Sequence, residues 1–331
     1  MAHRRIGVIG AGAWGTAFSL YLARKGYEVL LWVFEEELCG HMRRNRENAF
    51  YLPGFYLPES VDVTNSLSDV LDFSEEVVCA LPSFAVRQTL SPFSGFLSRK
   101  RILVLTKGLE AGTFMRMSEV FYDITGKGAS VCVLSGPSFA KEVAEGRFTA
   151  AVIASREREL SEHFQRLIHS DRFRVYTCGD VPGVELGGAL KNVMAIGAGI
   201  IEGLGLGMNT LAAYVSRCLS ETKRLGRAMG ALDSTFMGLS GVGDLVLTCF
   251  GPLSRNRAFG MELAKGRSVK EILSARHVFE GYYTLECAFL LAKRFQVDMP
   301  IVKELYLIVY EGKDVGSSVK EIERRAFKEE D

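Results

Sequence analysis

The sequence predicts a doubly wound α/β fold with a mostly parallel sheet, followed by an all-helical second domain. Three observations carry that expectation. Short β-branched runs alternate with amphipathic stretches through the first half of the chain, a glycine-rich turn follows the first run, and beyond residues 179–182 only helical patterns remain. Such alternation fits parallel strands, because a parallel pair needs a long return connection that a helix supplies. The 331 residues, 48% of them hydrophobic, are enough for about two domains with separate cores. The expected division is 1–181 and 182–331.

In order, the candidate strands are 5–9, 28–34, 61–64, 76–81, 102–106, 130–134, 149–155 and 173–177. Ile102-Leu103-Val104-Leu105 is apolar without alternation, as expected for a strand covered on both faces. Helical patterns between them span 14–24, 35–46, 85–96, 115–124, 139–145 and 157–168. In the second domain they span 184–202, 211–229, 234–239, 257–264, 268–275, 284–295, 301–311 and 317–325. The last residues, KEIERRAFKEED, read as a solvated helix that frays.

Composition excludes several function classes. Forty Lys and Arg stand against 39 Asp and Glu, a net charge of +1, so no global field favours nucleic acid or an anionic membrane. The longest apolar tracts, 193–201 and 203–216, are separated by Glu202 and dotted with glycine, which argues against membrane insertion. Seven scattered cysteines form no Cys-x-x-Cys pair and no Cys/His cluster. No metal is expected, and a reducing, cytoplasmic location is. Glycine is the excess: 34 residues, about one in ten against a usual ~7%.

Part of that glycine is the loop Gly10-Ala11-Gly12-Ala13-Trp14-Gly15, which follows the first strand and opens a helix. This is the G-x-G-x-x-G pattern of Rossmann-type dinucleotide-binding domains in the context that pattern requires. Gly10 makes the tight turn, Gly12 lets a pyrophosphate approach the backbone, and Gly15 lets helix and strand pack closely. Glu35, at the end of the second strand, stands where an acidic residue bonds a ribose hydroxyl and repels a 2′-phosphate, favouring NAD over NADP. Acidic residues are equally at home in the first turn of any helix, so NAD(H) is expected and NADP(H) stays open.

Three strand ends in succession carry loops suited to a ligand: Leu81-Pro82-Ser83-Phe84, Thr106-Lys107-Gly108 and Ser135-Gly136-Pro137-Ser138-Phe139-Ala140. The carboxyl edge of such sheets is where ligands bind. In the second half, Lys191-Asn192 lies in an otherwise small and apolar helix. An amine with apolar neighbours holds its proton less tightly than one in water, which suits a general acid or base. Asp244 and Thr248 lie in the unusual block Gly241-Val242-Gly243-Asp244-Leu245-Val246-Leu247-Thr248, read as a site wall. Ser254-Arg255-Asn256 precedes a helix, where amide donors and a guanidinium can hold an anion, although Ser254 or Asn256 also suits a plain helix cap.

Nine blocks, GAGAWGTA, LPSF, TKGLE, SGPSFAKEV, LGGALKNVMAIGAGI, GLSGVGDLVLTC, SRNRAFG, VFEGYYT and DMPIVKELY, together resemble the bacterial-type NAD(P)-dependent glycerol-3-phosphate dehydrogenases. The resemblance runs from about Arg5 to Tyr310. It implies interconversion of dihydroxyacetone phosphate and sn-glycerol 3-phosphate, with Lys191 as proton donor and acceptor and Lys107, Asn192 and Asp244 completing the polar site near Thr248. It implies substrate contacts at Gly136 and Ser138, and phosphate contacts at Ser254, Arg255 and Asn256. Nucleotide contacts fall on Ala13, Trp14, Phe34, Phe84, Lys107, Ala140, Arg255, Val278 and Glu280. It further implies a supply of glycerol 3-phosphate for phospholipid synthesis, and the long apolar helices suit a homodimer. Two positions depart from the pattern: Ala13 stands where many relatives have serine, and Val33-Phe34 where NADPH users often carry a basic residue or histidine. Other two-domain dehydrogenases, and a nucleotide sensor without catalysis, are the competing readings. The first lacks reason for Ser254-Arg255-Asn256 and the second for an intact set of Lys107, Lys191, Asn192 and Asp244.

Overall fold

The computed structural model describes residues 5–126, 128–274 and 278–323. Among them are eight strands, β1 (Arg5–Ile9), β2 (Glu28–Trp32), β3 (Val61–Thr64), β4 (Glu76–Cys79), β5 (Arg101–Val104), β6 (Ser130–Ser135), β7 (Thr149–Ala154) and β8 (Phe173–Cys178). All eight were anticipated to within two residues at either end. They form one sheet in the order β3-β2-β1-β4-β5-β6-β7-β8. Every neighbouring pair is parallel except β6 and β7. The connection between them, residues 136–148, carries only the five-residue helix Ala140–Ala144.

Side chains alternate across the sheet as strand geometry demands. Val8, Val78 and Leu103 enter one core with Phe18, Leu31 and Phe164, while Ile9, Cys79, Ile102 and Val104 enter a second with Val70, Leu90 and Phe121. The sheet is thereby covered on both faces. Two local expectations need correction. The stretch 85–96 is not one helix but Val86–Leu90 and Ser94–Leu97 with a short 3-10 turn, Ser91–Phe93, between them, because Pro92 lacks an amide donor and breaks the ladder. An additional helix, Leu67–Phe73, is capped by Ser66 accepting from the Asp69 amide and buries Leu67, Val70 and Leu71.

The remaining described residues form a helical body around the 23-residue helix Val181–Gly203, capped by Asp180 through the Gly183 amide. Among the described residues it is the one unbent helix long and apolar enough to cross a membrane, and its apolar stretch is wholly buried in the fold. Helices Gly207–Ala228, Asp244–Phe250, Arg255–Ala264, Glu280–Phe295 and Pro300–Glu311 surround it. The block read as a site wall, with no secondary structure expected for it, is mostly the helix Asp244–Phe250, entered through a wide turn at Leu239–Gly243. The expected helices 268–275 and 317–325 are present as Val269–Leu273 and Val315–Glu323, and residues 275 and 324–331 lie outside the described residues.

Leu109 and Glu185 help fasten the helical body to the sheet. Leu109, from the loop after β5, is buried in the helical core rather than in the sheet's own. Glu185, in the second turn of the central helix, accepts from Arg116 (2.6 Å), the Ser118 amide (2.7 Å) and the Ser118 hydroxyl (2.6 Å). Burial alone pushes the Glu185 carboxyl upward, and these donors compensate the buried charge.

Candidate active site

The centre of the site is one carboxylate shared by two lysines. Asp244 is fully buried at the start of its helix. Its Oδ1 accepts from Lys191 Nζ at 2.5 Å and its Oδ2 from Lys107 Nζ at 2.7 Å. Lys191 also donates to Thr248 Oγ1 (2.9 Å), which in turn donates back to the Asp244 carbonyl at 2.6 Å. Asp244 and Thr248 are four residues apart, so one helix face presents both. Lys107 leaves the carboxyl end of β5 and reaches the Gly136 carbonyl (2.8 Å) and Ser138 Oγ (3.3 Å) at the end of β6. Gly136 has φ +137°, and a Cβ there would lie 3.0 Å from Ala151 Cα, so glycine alone lets its carbonyl turn toward the lysine.

The two amines have different surroundings. Burial pushes the Lys107 amine down to about 8, against the pull of Asp244 and with the Lys191 charge adding to the depression. Lys191 is 9% exposed, its charge met by the carboxylate on one side and the hydroxyl on the other. A polar chain extends from there. Asn192 Nδ2 donates to the Lys107 carbonyl (3.2 Å), Asn256 Nδ2 donates to Asn192 Oδ1 (3.0 Å), and the Gly281 amide donates to Asn256 Oδ1 (3.0 Å). Four separate elements are locked to one another by these bonds.

Ser254 has two readings in the sequence, and here its oxygen accepts from the Arg257 amide as a helix cap (3.2 Å). Arg255 is exposed and makes no hydrogen bond or ion pair among the described residues. Glu280 feels its charge, but burial dominates and raises the Glu280 carboxyl, even with the Ser83 amide (2.9 Å) and hydroxyl (2.6 Å) donating to it. That contact ties the loop after β4 to the helical body.

The nucleotide-side residues lie along the carboxyl edge of the sheet. Gly10 has φ +110°, and a Cβ on it would lie 2.9 Å from the Ala80 carbonyl. A Cβ on Gly15 would meet the Gly10 carbonyl at 1.9 Å. Gly12 is the opposite case: among the described residues nothing beyond its chain neighbours lies within 4 Å of where its Cβ would be. It precedes the helix Ala13–Arg24, which has no side-chain cap, so the first-turn amides of Ala13 and Trp14 are available to an anion. The Trp14 indole N–H is buried with no partner among the described residues. Phe34 (73% exposed) and Phe84 (44%) line the same edge as apolar surfaces open to solvent, while Ala140 and Val278 are partly buried. An open glycine, uncapped amides and exposed aromatic faces fit a dinucleotide. Among the described residues no group of three or more His, Cys, Asp or Glu could hold a metal ion.

Two residues were not singled out from the sequence. Tyr51 donates to Glu35 at 2.7 Å, and Asn48, 0% exposed, bonds into the glycine loop. Both lie in the turn-rich connection before β3, where polar residues carry no periodic signal.

Residues 5–161 match the family profile of the N-terminus of NAD-dependent glycerol-3-phosphate dehydrogenase, and residues 180–320 match that of its C-terminus. The chain is 46% identical over 330 residues to a glycerol-3-phosphate dehydrogenase [NAD(P)+] of Citrifermentans bemidjiense, with 98% of each chain covered. It is 48% identical to one of Geobacter metallireducens over the same length and coverage. The crystal structure of glycerol-3-phosphate dehydrogenase from Coxiella burnetii superposes with a TM-score of 0.93 at 37% identity, covering 98% of this chain and 99% of that one. Fold, glycine loop and sequence relationship agree: this chain belongs to the NAD-dependent glycerol-3-phosphate dehydrogenase family of oxidoreductases.

Proposed function

We propose that the chain reduces dihydroxyacetone phosphate to sn-glycerol 3-phosphate and catalyses the reverse, with Lys191 as the group that gives and takes the proton. The observation that carries this reading is the Asp244 carboxylate bridging Lys191 and Lys107. When bound, the reduced dinucleotide supplies a hydride to C2 of the ketone. Lys191 donates a proton to the oxygen that develops negative charge there, and Asp244 and Thr248 hold its ammonium in place. Lys107 and Asn192 orient and polarise the same oxygen. Arg255, free of other partners among the described residues, pairs with the substrate phosphate or that of the nucleotide, as a guanidinium at a helix start is suited to do. Gly10, Gly12, Ala13 and Trp14 hold the pyrophosphate.

The test is loss of NADH absorbance with dihydroxyacetone phosphate. Lys191→Met should fold normally and lose kcat by ~10²-fold or more, and retained turnover would remove Lys191 from the mechanism. The same reading includes a reducing, cytoplasmic setting, supported by seven free cysteines. It also includes a homodimer, for which exposed Met208, Leu232 and Met237 offer apolar surface.

A further inference from the structure

Asn48 has no counterpart in the proton-transfer machinery, yet it is a polar side chain that is 0% exposed. Its amide nitrogen donates to the Ala11 carbonyl (2.7 Å) and to Thr16 Oγ1 (2.8 Å), and its oxygen accepts from the Tyr51 amide (3.1 Å). The partners fix the orientation of the amide group: a carbonyl can only accept, and a backbone N–H can only donate. Thr16 Oγ1 adds a bond to the same Ala11 carbonyl at 3.3 Å. The segment carrying Asn48 is itself braced. Glu47 pairs with Tyr56, the Leu57 amide donates to the Arg46 carbonyl at 2.6 Å, and Leu52 and Leu57 are buried in the sheet's core.

The consequence lies in one peptide plane. The Ala11 carbonyl and the Gly12 N–H belong to the same planar unit and point in opposite directions. Drawing the carbonyl toward Asn48 and Thr16 turns the Gly12 N–H away from them, and among the described residues nothing beyond its chain neighbours lies within 4 Å of where a Gly12 Cβ would be. That N–H has no backbone acceptor among the described residues. This plane turns about ψ of Ala11 and φ of Gly12, and the glycine side is unrestricted by a Cβ, so the loop's sequence alone does not fix which way the donor points.

We infer that Asn48 is a positioning residue for the dinucleotide: it sets the Ala11–Gly12 peptide so that the Gly12 amide faces the pyrophosphate. The inference rests on the dinucleotide reading above. Binding energy is gained because the donor is oriented before the ligand arrives.

The experiment compares NADH dissociation constants by calorimetry for the wild-type chain, Asn48→Ala and Asn48→Asp, together with steady-state kinetics. Asn48→Ala should weaken NADH binding about tenfold and raise KM for NADH alike, with kcat and KM for dihydroxyacetone phosphate within about threefold. Asn48→Asp keeps the shape but sets a carboxylate oxygen against the Ala11 carbonyl. Its NADH affinity should be lower than that of Asn48→Ala at pH 8 and recover as the pH falls, because a protonated carboxyl can donate again. A role in packing alone would give no such recovery. Wild-type binding with equal binding by both variants overturns the inference and leaves the dinucleotide reading intact. No NADH binding by the wild-type chain overturns both. Failure of both variants to fold assigns Asn48 to the core and overturns the inference too.

Discussion

Replacing Asp244 with asparagine preserves the shape of the side chain and removes the negative charge that lies between two ammonium groups, at 2.5 and 2.7 Å. At an effective permittivity of ~20, opposite unit charges about 4 Å apart attract by ~4 kcal/mol, and about 1.4 kcal/mol corresponds to one pKa unit. Lys107 sits at about 8 even with that attraction in place. Without it the amine falls well below neutrality, so its charged fraction at pH 7 drops from about nine tenths to roughly one hundredth. Asp244→Asn should therefore lose kcat/KM for dihydroxyacetone phosphate by ~10²-fold at pH 7 from this cation alone, before any displacement of Lys191. The wild-type kcat/KM should fall above pH 8 as Lys107 deprotonates, and the fall should move to lower pH in the variant. Breaking a buried pair costs about 3–5 kcal/mol while the stranded partners stay charged, so the variant's melting temperature should drop least in alkaline buffer. Initial rates at the NADH absorbance band from pH 6 to 9, with parallel melting curves, decide the matter. A variant within tenfold of wild type at pH 7 refutes the shared-carboxylate argument.

Glu35 accepts from the Tyr51 hydroxyl at 2.7 Å, and its role in telling a ribose hydroxyl from a 2′-phosphate is open to test. Glu35→Ser should narrow the ratio of kcat/KM for NADH over NADPH by about tenfold, and a wild-type preference for NADPH would defeat that assignment. Glu221, on helix Gly207–Ala228, is a buried carboxyl set against the start of helix Pro300–Glu311 and pushed up to about 7 by burial although the Ile301 and Val302 amides donate to it. A carboxyl with a higher pKa folded than unfolded binds extra protons in the native state, so stability falls as pH rises from about 4.5 to 7 and stays reduced above. Glu221→Gln should flatten that fall and melt above the wild type at pH 8; a variant that melts below it at pH 8 counts against the sign of this effect.

How much of this was legible in the sequence depends on the range of the interactions involved. The strands could be read because their β-branched runs are continuous and bounded by turn residues; the ends of β2, β4, β5 and β7 were expected one or two residues too far along, and those of β6 and β8 one residue short. Leu67–Phe73 was missed because seven residues hold barely two turns, too few for periodicity to stand out, although its Ser66 cap was present. Asp244–Phe250 was hidden by the glycines before it. A Cβ on Gly241 would lie 2.0 Å from the Phe236 carbonyl, so that glycine marks close packing ahead of a helix. Lys107, Lys191 and Asp244 each showed a local sign: a strand end, an apolar helix and a glycine-flanked acid. Their sharing of one carboxylate did not, since it joins residues up to 137 positions apart. Asn48 gave no sign at all, because its importance lies in which carbonyl it reaches.

The glycines of the central helix join packing to chemistry. A Cβ on Gly187 would lie 2.3 Å from the Ser240 carbonyl, and one on Gly199 would lie 1.9 Å from that of Arg257. Ser240 precedes Asp244 by one helical turn, and Arg257 follows the Ser254-Arg255-Asn256 block directly. The helix bearing Lys191 and Asn192 thus touches, backbone to backbone, the two segments that supply Asp244 and Arg255. Any side chain at these glycines forces a displacement of about an ångström, comparable to the difference between a 2.5 Å ion pair and none. The same contacts explain how a chain with a net charge of only +1 can attend to a phosphorylated substrate. Lys107 and Lys191 come from distant segments and meet on the Asp244 carboxylate, so close packing, rather than overall charge, concentrates positive charge there.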